Sequence, residues 1–372
     1  MPNLRHNRRN GHRRRRDSSH LQRRTAVSFT LELGRSRRSL QRTACRAGPA
    51  GRSSGSSGNG VNKAMKILGL NFGRVKGECR KYLDIALQAA QDDGAEVELI
   101  NTINLNISRC IGCGACSRNS REKGQQIRCV VKDDYQMVLD AILDADSIIV
   151  AAPVYVLAPT GQLKNLTDRI GPAHDRAAVV KEYYKRVDPV PDPADPRFLK
   201  QRDECGIVEP LDPRVLKKWK VAYISVGGAR DHHWVSLGLL QMKFFGFPLN
   251  MHLVDELDIH GAHGDSPRVQ MFRQRAAVLG HNMAAALGKH PRDIAFCGDD
   301  LGICPTCHGR MITVTRGTKV ECPLCGITGQ LSIVDGQIKV SFPLHEQDRS
   351  RLAFGGLLEH TNYGNLVSPP RQ

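Results

Sequence analysis

Short apolar runs alternate with stretches of helical spacing between residues 66 and 290. Residues 66–71 (KILGLN), 95–101 (AEVELIN), 147–152 (SIIVAA), 221–226 (VAYISV) and 249–257 read as five strands. The β-branched 147–152 run has the continuous apolarity of a strand covered on both faces of a parallel sheet. Between the strands, residues 81–93 carry Leu83, Ala86, Leu87 and Ala90 at helical spacing. Residues 133–143 follow a capping Asp133 or Asp134, and further helices are expected from Thr160 and over 234–245 and 267–287. This alternation predicts an α/β fold, a doubly wound five-stranded parallel sheet in the order 2-1-3-4-5. Its ligand crevice should lie at the carboxyl ends of strands one and three.

Three features interrupt the pattern. After strand three, Pro153 is expected to stop the strand, leaving an eight-residue loop, 153–160, with one aromatic (Tyr155) and little charge. Residues 171–218 form a low-apolar insertion with four Asp-Pro pairs, at Asp188, Asp192, Asp195 and Asp212. Beyond residue 290 the strand–helix alternation ends, and residues 296–345 read as a separate small domain followed by a tail, 346–372.

Charge changes the picture mainly by its location. The net charge is +17, but residues 1–60 hold 15 arginines against two acids, so the remaining residues carry only +4. Residues 1–64 are expected to be a disordered Arg/Ser/Gly tail. It reads as an RNA- or membrane-surface-binding arm, as a transit peptide, or as sequence upstream of a native start at Met65. The last reading is preferred because no clear amphipathic helix accompanies the arginines. Nucleic acid is therefore not the expected partner of the body. No apolar run approaches the ~20 residues of a membrane span, and a cytoplasmic location is expected.

Eight of the twelve cysteines fall in two clusters, and clustered cysteines in an intracellular chain suit metal better than disulfides. Cys110, Cys113, Cys116 and Cys129 follow C-x2-C-x2-C-x12-C. Three thiolates at that spacing can wrap one face of a cube and a fourth complete a [4Fe–4S] site; a structural zinc or reduced thiols are the alternatives. Cys304, Cys307, Cys322 and Cys325 form two C-x-x-C knuckles joined by a hairpin-like segment. This is the pattern of a zinc ribbon, which needs its metal for stability, with a rubredoxin-like iron site as the alternative. His308 is expected exposed beside the knuckle and not a ligand. Cys297 reads as a spare thiol, and Cys45 and Cys205 have no role in this pattern.

The turn after strand one contains Gly73 and Gly77, with Arg74 and Arg80 adding charge, which suits a phosphate at a helix N-terminus. Beside it lies the flat apolar loop 153–160, and a phosphate site next to a ring site is what flavin mononucleotide needs. The stretches PVYVLAPTGQLKNLTDR, CIGCGAC with the later CVVKDD, and more loosely NFGRVKGECR resemble the NADPH-dependent FMN reductase-like group of flavodoxin-fold proteins. Within that group the likeness is to the iron–sulfur flavoproteins. The resemblance implies that Arg74, Gly77, Glu78 and Cys79 line the FMN phosphate site. It further implies that Pro153, Val154, Tyr155, Val156, Leu157 and Ala158 line the ring, with Gly227 and Gly228 closing its other side. Glu78 and Cys79 depart from the Asn and Ser/Thr usual there, since a carboxylate repels phosphate and a thiol is a poor donor. The cysteine motif implies a [4Fe–4S] cluster near the flavin, and the family implies NAD(P)H as cosubstrate and a homo-oligomer.

Remaining candidates are undecided at this stage. His232 and His233 either contact flavin or begin a surface helix. His260 and His263 read as loop residues, and Tyr183 and Tyr184 as a flavin cover or an oligomer contact. The expected activity is FMN-dependent NAD(P)H oxidation, with electrons passing to an iron–sulfur cluster or an organic acceptor. The alternatives are an iron–sulfur electron carrier fed by ferredoxin and a zinc-ribbon protein binding nucleic acid or another partner with a vestigial flavin fold.

Overall fold

A computed structural model describes residues 65–116, 129–174, 176–177, 212–261 and 264–367, all within one compact unit. The arginine-rich tail, most of the 171–218 insertion with Tyr183 and Tyr184, and His263 lie outside the described residues. So do Cys45 and Cys205.

The elements in order are β1 (Lys66–Asn71), α1 (Glu78–Asp92), β2 (Glu96–Asn101), α2 (Tyr135–Asp144), β3 (Ser147–Tyr155), β4 (Ala158–Pro159) and α3 (Gly161–His174). They continue with β5 (Lys220–Gly227), α4 (Gly238–Met242), β6 (His252–His260) and α5 (Pro267–Ala286). β2-β1-β3-β5-β6 form a parallel sheet, the flavodoxin-like order expected from the strand–helix alternation. Two apolar layers cover its faces. One is built on α2 and α3 around Tyr135, Leu139, Leu166 and Trp219, the other on α1 and α5 around Tyr82, Leu83, Ala276 and Leu279. β3, buried on both faces from Ser147 to Pro153, is the central strand.

Four expectations are corrected. Pro153 does not end β3: it pairs in register with Val226 of β5, its carbonyl accepts from Thr160 N–H, and the strand runs to Tyr155. β1 ends at Asn71 opposite Ala151, so no neighbour on that side asks Pro153 for an N–H. The expected eight-residue loop is instead a two-residue hairpin, Val156–Leu157, between β3 and β4. The helix expected over 234–245 is broken into a 3-10 turn at His232–Trp234, the short α4, and a second 3-10 turn at Lys243–Gly246. α1 starts three residues earlier than its apolar spacing indicates, at Glu78.

The C-terminal region is a separate antiparallel sheet, β10-β9-β8-β7, made of β7 (Thr313–Val314), β8 (Lys319–Glu321), β9 (Thr328–Val334) and β10 (Gln337–Ser341). Its small core is Cys304, Cys307, Val320, Cys322, Leu324, Cys325, Ile327 and Phe342. The stretch read as a tail contains two helices, α6 (Leu344–Asp348) and α7 (Phe354–Val367).

Candidate functional site

Strands β1, β3 and β5 are adjacent, about 4.8 Å apart, so the loops at their carboxyl ends share one crevice. The first loop is pinned by Asn71. Its buried amide oxygen accepts from Gly73 N–H at 3.0 Å, and its Nδ2 donates to Asn101 Oδ1 at 2.9 Å. α1 then opens on Gly77, whose extended backbone brings no side-chain cap. The first-turn N–H groups are thus left for an external acceptor. Arg74 is exposed in this turn. Glu78 sits in the first turn of α1, and Lys81, 2.7 Å away, offsets its charge. The Cys79 thiol is buried against Gly73 on the inner side of the turn, and burial raises its pKa to about 12, so it stays a neutral thiol there.

The second loop is the β3–β4 hairpin. Val156 (φ 49°) and Leu157 (φ 70°) both adopt left-handed backbone, the signature of a type I′ turn, which favours Asn-Gly over branched residues. Tyr155, Val156 and Leu157 are 58%, 96% and 39% exposed. A β-branched residue held strained with its apolar side chain in solvent is unusual, and such strain concentrates at ligand sites.

Gly227 and Gly228 lead into the third loop, where Val235 closes over Gly227 so tightly that a Cβ has no space. Gly228 is exposed. Trp234 is 58% exposed, and the Ser225 hydroxyl is buried without a hydrogen-bond partner among the described residues. The same end of the sheet gathers a cluster that sequence could not assemble. His232 Nε2 lies 3.2 Å from Asp258 Oδ2, His232 and His260 are 5.6 Å apart in edge-to-face contact, and His260 Nε2 accepts from Arg268 at 2.7 Å. Uncapped donors, a half-neutralised carboxylate, exposed apolar faces and an orphaned hydroxyl together fit a phosphorylated planar ring.

The first cysteine group lies beside Asp168 and Arg169 of α3. Cys110, Cys113, Cys116 and Cys129 line one cavity of about 170 Å³. Gly112 and Gly114 have positive φ, as a tight loop around a cluster requires. Among the described residues, the group whose ligand atoms all gather within 4.8 Å is the other one, Cys304, Cys307, Cys322 and Cys325. The first four thiols line a shared cavity instead. Arg169 of α3 closes the loop at both ends. It donates to the Ser108 and Val131 carbonyls and bidentately to Asp133, and its guanidinium lies 4.0 Å from the Tyr135 ring centroid. Burial alone would raise the Asp133 pKa, but bonds from Arg169 and from the N–H groups of Ser108 and Tyr135 hold it at about 2.

The second cysteine group is fully buried. Its Sγ–Sγ separations of 3.7 Å (Cys304–Cys325) and 3.6 Å (Cys307–Cys322) match the edge of about 3.8 Å of a tetrahedron with ~2.3 Å zinc–sulfur bonds. His308 is half-buried and stacks on Phe296 with centroids 3.7 Å apart, so it is neither fully exposed nor in the ligand set. Cys297 also stands outside the ligand set; its N–H donates to the Val254 carbonyl.

Residues 65–185 match the NADPH-dependent FMN reductase family. Flavone synthase cfoJ of Aspergillus candidus is 27% identical over 310 residues, 80% of this chain and 87% of its own. A solved flavone reductase superposes with a TM-score of 0.63 at 27% identity, covering 81% of this chain and 89% of that one. An iron–sulfur flavoprotein of Archaeoglobus fulgidus is 36% identical over 121 residues, 32% of this chain and 51% of that protein. This chain therefore spans about half the length of that shorter relative. Sheet order, loop chemistry and these likenesses define an FMN-binding oxidoreductase of the flavodoxin-like superfamily. The α/β body is similar to the FMN reductases and iron–sulfur flavoproteins and is joined to a zinc-ribbon-like four-cysteine site.

Proposed function

We propose that this oxidoreductase takes a hydride from NAD(P)H and delivers it, with a proton, to a planar aromatic acceptor bearing a conjugated carbonyl. The carrying observation is the strained apolar hairpin Tyr155–Ala158 beside the uncapped start of α1. In this reading Arg74, Gly77 and the N–H groups of Glu78 and Cys79 hold the FMN phosphate, while the Gly77 N–H itself donates to the Arg74 carbonyl at 2.9 Å. Pro153, Val154, Tyr155, Val156, Leu157 and Ala158 bear one side of the ring, and Gly227 and Gly228 close the other. Bound there, FMN supplies two-electron chemistry between nicotinamide and acceptor. The residues around it orient both partners and exclude water. His232, exposed and paired with Asp258, supplies the proton that balances hydride addition across a carbon–carbon double bond. The acceptor class is supported by the name of one relative that spans most of the chain, a flavone reductase, while the name of the other, a flavone synthase, makes flavone the product.

A second reading is favoured by the cysteine-lined cavity. In it Cys110, Cys113, Cys116 and Cys129 hold a [4Fe–4S] cluster, and the protein relays single electrons, with ferredoxin as donor. Cys304, Cys307, Cys322 and Cys325 hold Zn²⁺ in either case. Anaerobic purification is followed by flavin extraction and iron and zinc analysis, and NAD(P)H oxidation with flavone is set against reduction of the bound cofactors by reduced ferredoxin. Flavone-dependent NAD(P)H turnover supports the first; reduction by ferredoxin without NAD(P)H turnover supports the second. A chain that retains no FMN when offered an excess excludes both.

A further inference from the structure

Lys243 is a buried cation for which hydride transfer has no use. Its side chain is 3% exposed, its ammonium lies 2.6 Å from Glu256 Oε2 of β6, and it donates to the Cys307 carbonyl at 2.7 Å. Burying an ammonium is costly unless a countercharge and acceptors meet it. Here one acceptor belongs to the body's own sheet and the other to a metal knuckle of the ribbon. The Cys307 peptide is in turn fixed by its sulfur, which sits 3.6 Å from that of Cys322 across the metal site.

The same short segment touches the flavin loop at its other end. Lys243 follows α4 directly. Leu240 of α4 packs on the ribbon core, within reach of Gly309 next to the knuckle. Gly238, at the start of α4, abuts Val154, and a Cβ there would also come within 2.9 Å of Ser225 Oγ, so any larger residue must displace the ring-side hairpin. One rigid piece six residues long therefore spans from the ribbon's metal site to the base of the strained hairpin.

We infer that Lys243 is a positioning residue through which metal occupancy of the ribbon sets the affinity of the flavin site. The inference rests on the FMN reading given above. Without metal, the small ribbon core has no centre, the Cys307 carbonyl leaves Lys243, and α4 ceases to back Val154. The zinc-loaded full chain is stripped with a chelator under reducing conditions. FMN binding is then followed by quenching of its fluorescence, and hydrogen exchange is followed over residues 152–158 and 235–245. The expected result is FMN affinity about tenfold weaker, the size of one lost charge-assisted hydrogen bond. Both segments lose protection, and Zn²⁺ restores both signals. Lys243→Met with Glu256→Gln removes the buried pair without leaving a lone charge. That variant keeps its zinc and is expected to bind FMN about tenfold more weakly, with altered visible bands of the bound flavin and no further response to the chelator. Unchanged affinity and unchanged protection after zinc loss overturn the inference, as does a wild-type FMN affinity in the double variant. If the zinc-loaded wild type binds no FMN, the flavin reading fails, and hydrogen exchange alone decides the coupling by the same two results.

Discussion

Arg169 ties together a loop to which it contributes no cysteine. Its side chain and that of Asp133 are almost wholly buried, and removing one partner of such a pair typically costs about 3–5 kcal/mol because the other charge is stranded. Arg169→Met is expected to lower stability by that amount and to release the Ser108 and Val131 carbonyls that flank the cysteine loop. Iron content should therefore fall in a variant that still holds FMN, as read by metal analysis and a denaturant midpoint. Asp133 also sets an acid limit. Its folded pKa of about 2 lies below the ~3.9 of an unfolded Asp. The pair thus contributes its full stability above pH ~4 and loses it as pH falls towards 2. In Arg169→Met this part of the acid dependence should disappear, which a series of urea midpoints between pH 5 and 2.5 would show.

The hairpin between β3 and β4 shows what an element can hold against local preference. Val156 and Leu157 occupy the two positions where Asn and Gly are favoured. Val156→Asn with Leu157→Gly is expected to stabilise the fold by about 1 kcal/mol while weakening FMN retention, because the apolar ring face is removed. A variant that is both more stable and equally retentive would separate the strain from the site. This element also marks how far sequence reading reaches. The strands were legible because β-branched runs and helical spacing are local signals, and both cysteine sets because C-x-x-C is local. The hairpin was hidden because Pro153 reads as a stop, and only the sheet edge at Asn71 makes it tolerable. The break near Gly238 was hidden because LGLLQMKFF is apolar on every side, and it follows from packing on Val154 and the ribbon. Likewise His232, Asp258 and His260 meet only because β5 and β6 are neighbours, and Arg169 meets Asp133 across 36 residues of chain.

Across the whole molecule, two thiol sites of opposite accessibility are carried on one chain. Cys110 and Cys113 are exposed and Cys116 and Cys129 partly so, whereas the four ribbon cysteines are buried. Oxidant reaches thiolates in proportion to their exposure, so air should act on the two sites in sequence. Protein purified without oxygen and then exposed to air is expected to lose iron and its broad visible absorption first, while zinc stays near one per chain. Because the ribbon backs the flavin hairpin through Lys243, and the first cysteine loop is braced separately by Arg169 and Asp133, FMN should outlast the iron. It should leave only when zinc does. Iron, zinc and flavin contents measured on the same samples over the exposure give the order directly. Simultaneous loss of all three would mean that the two sites share one support, contrary to the separate bracing seen around them.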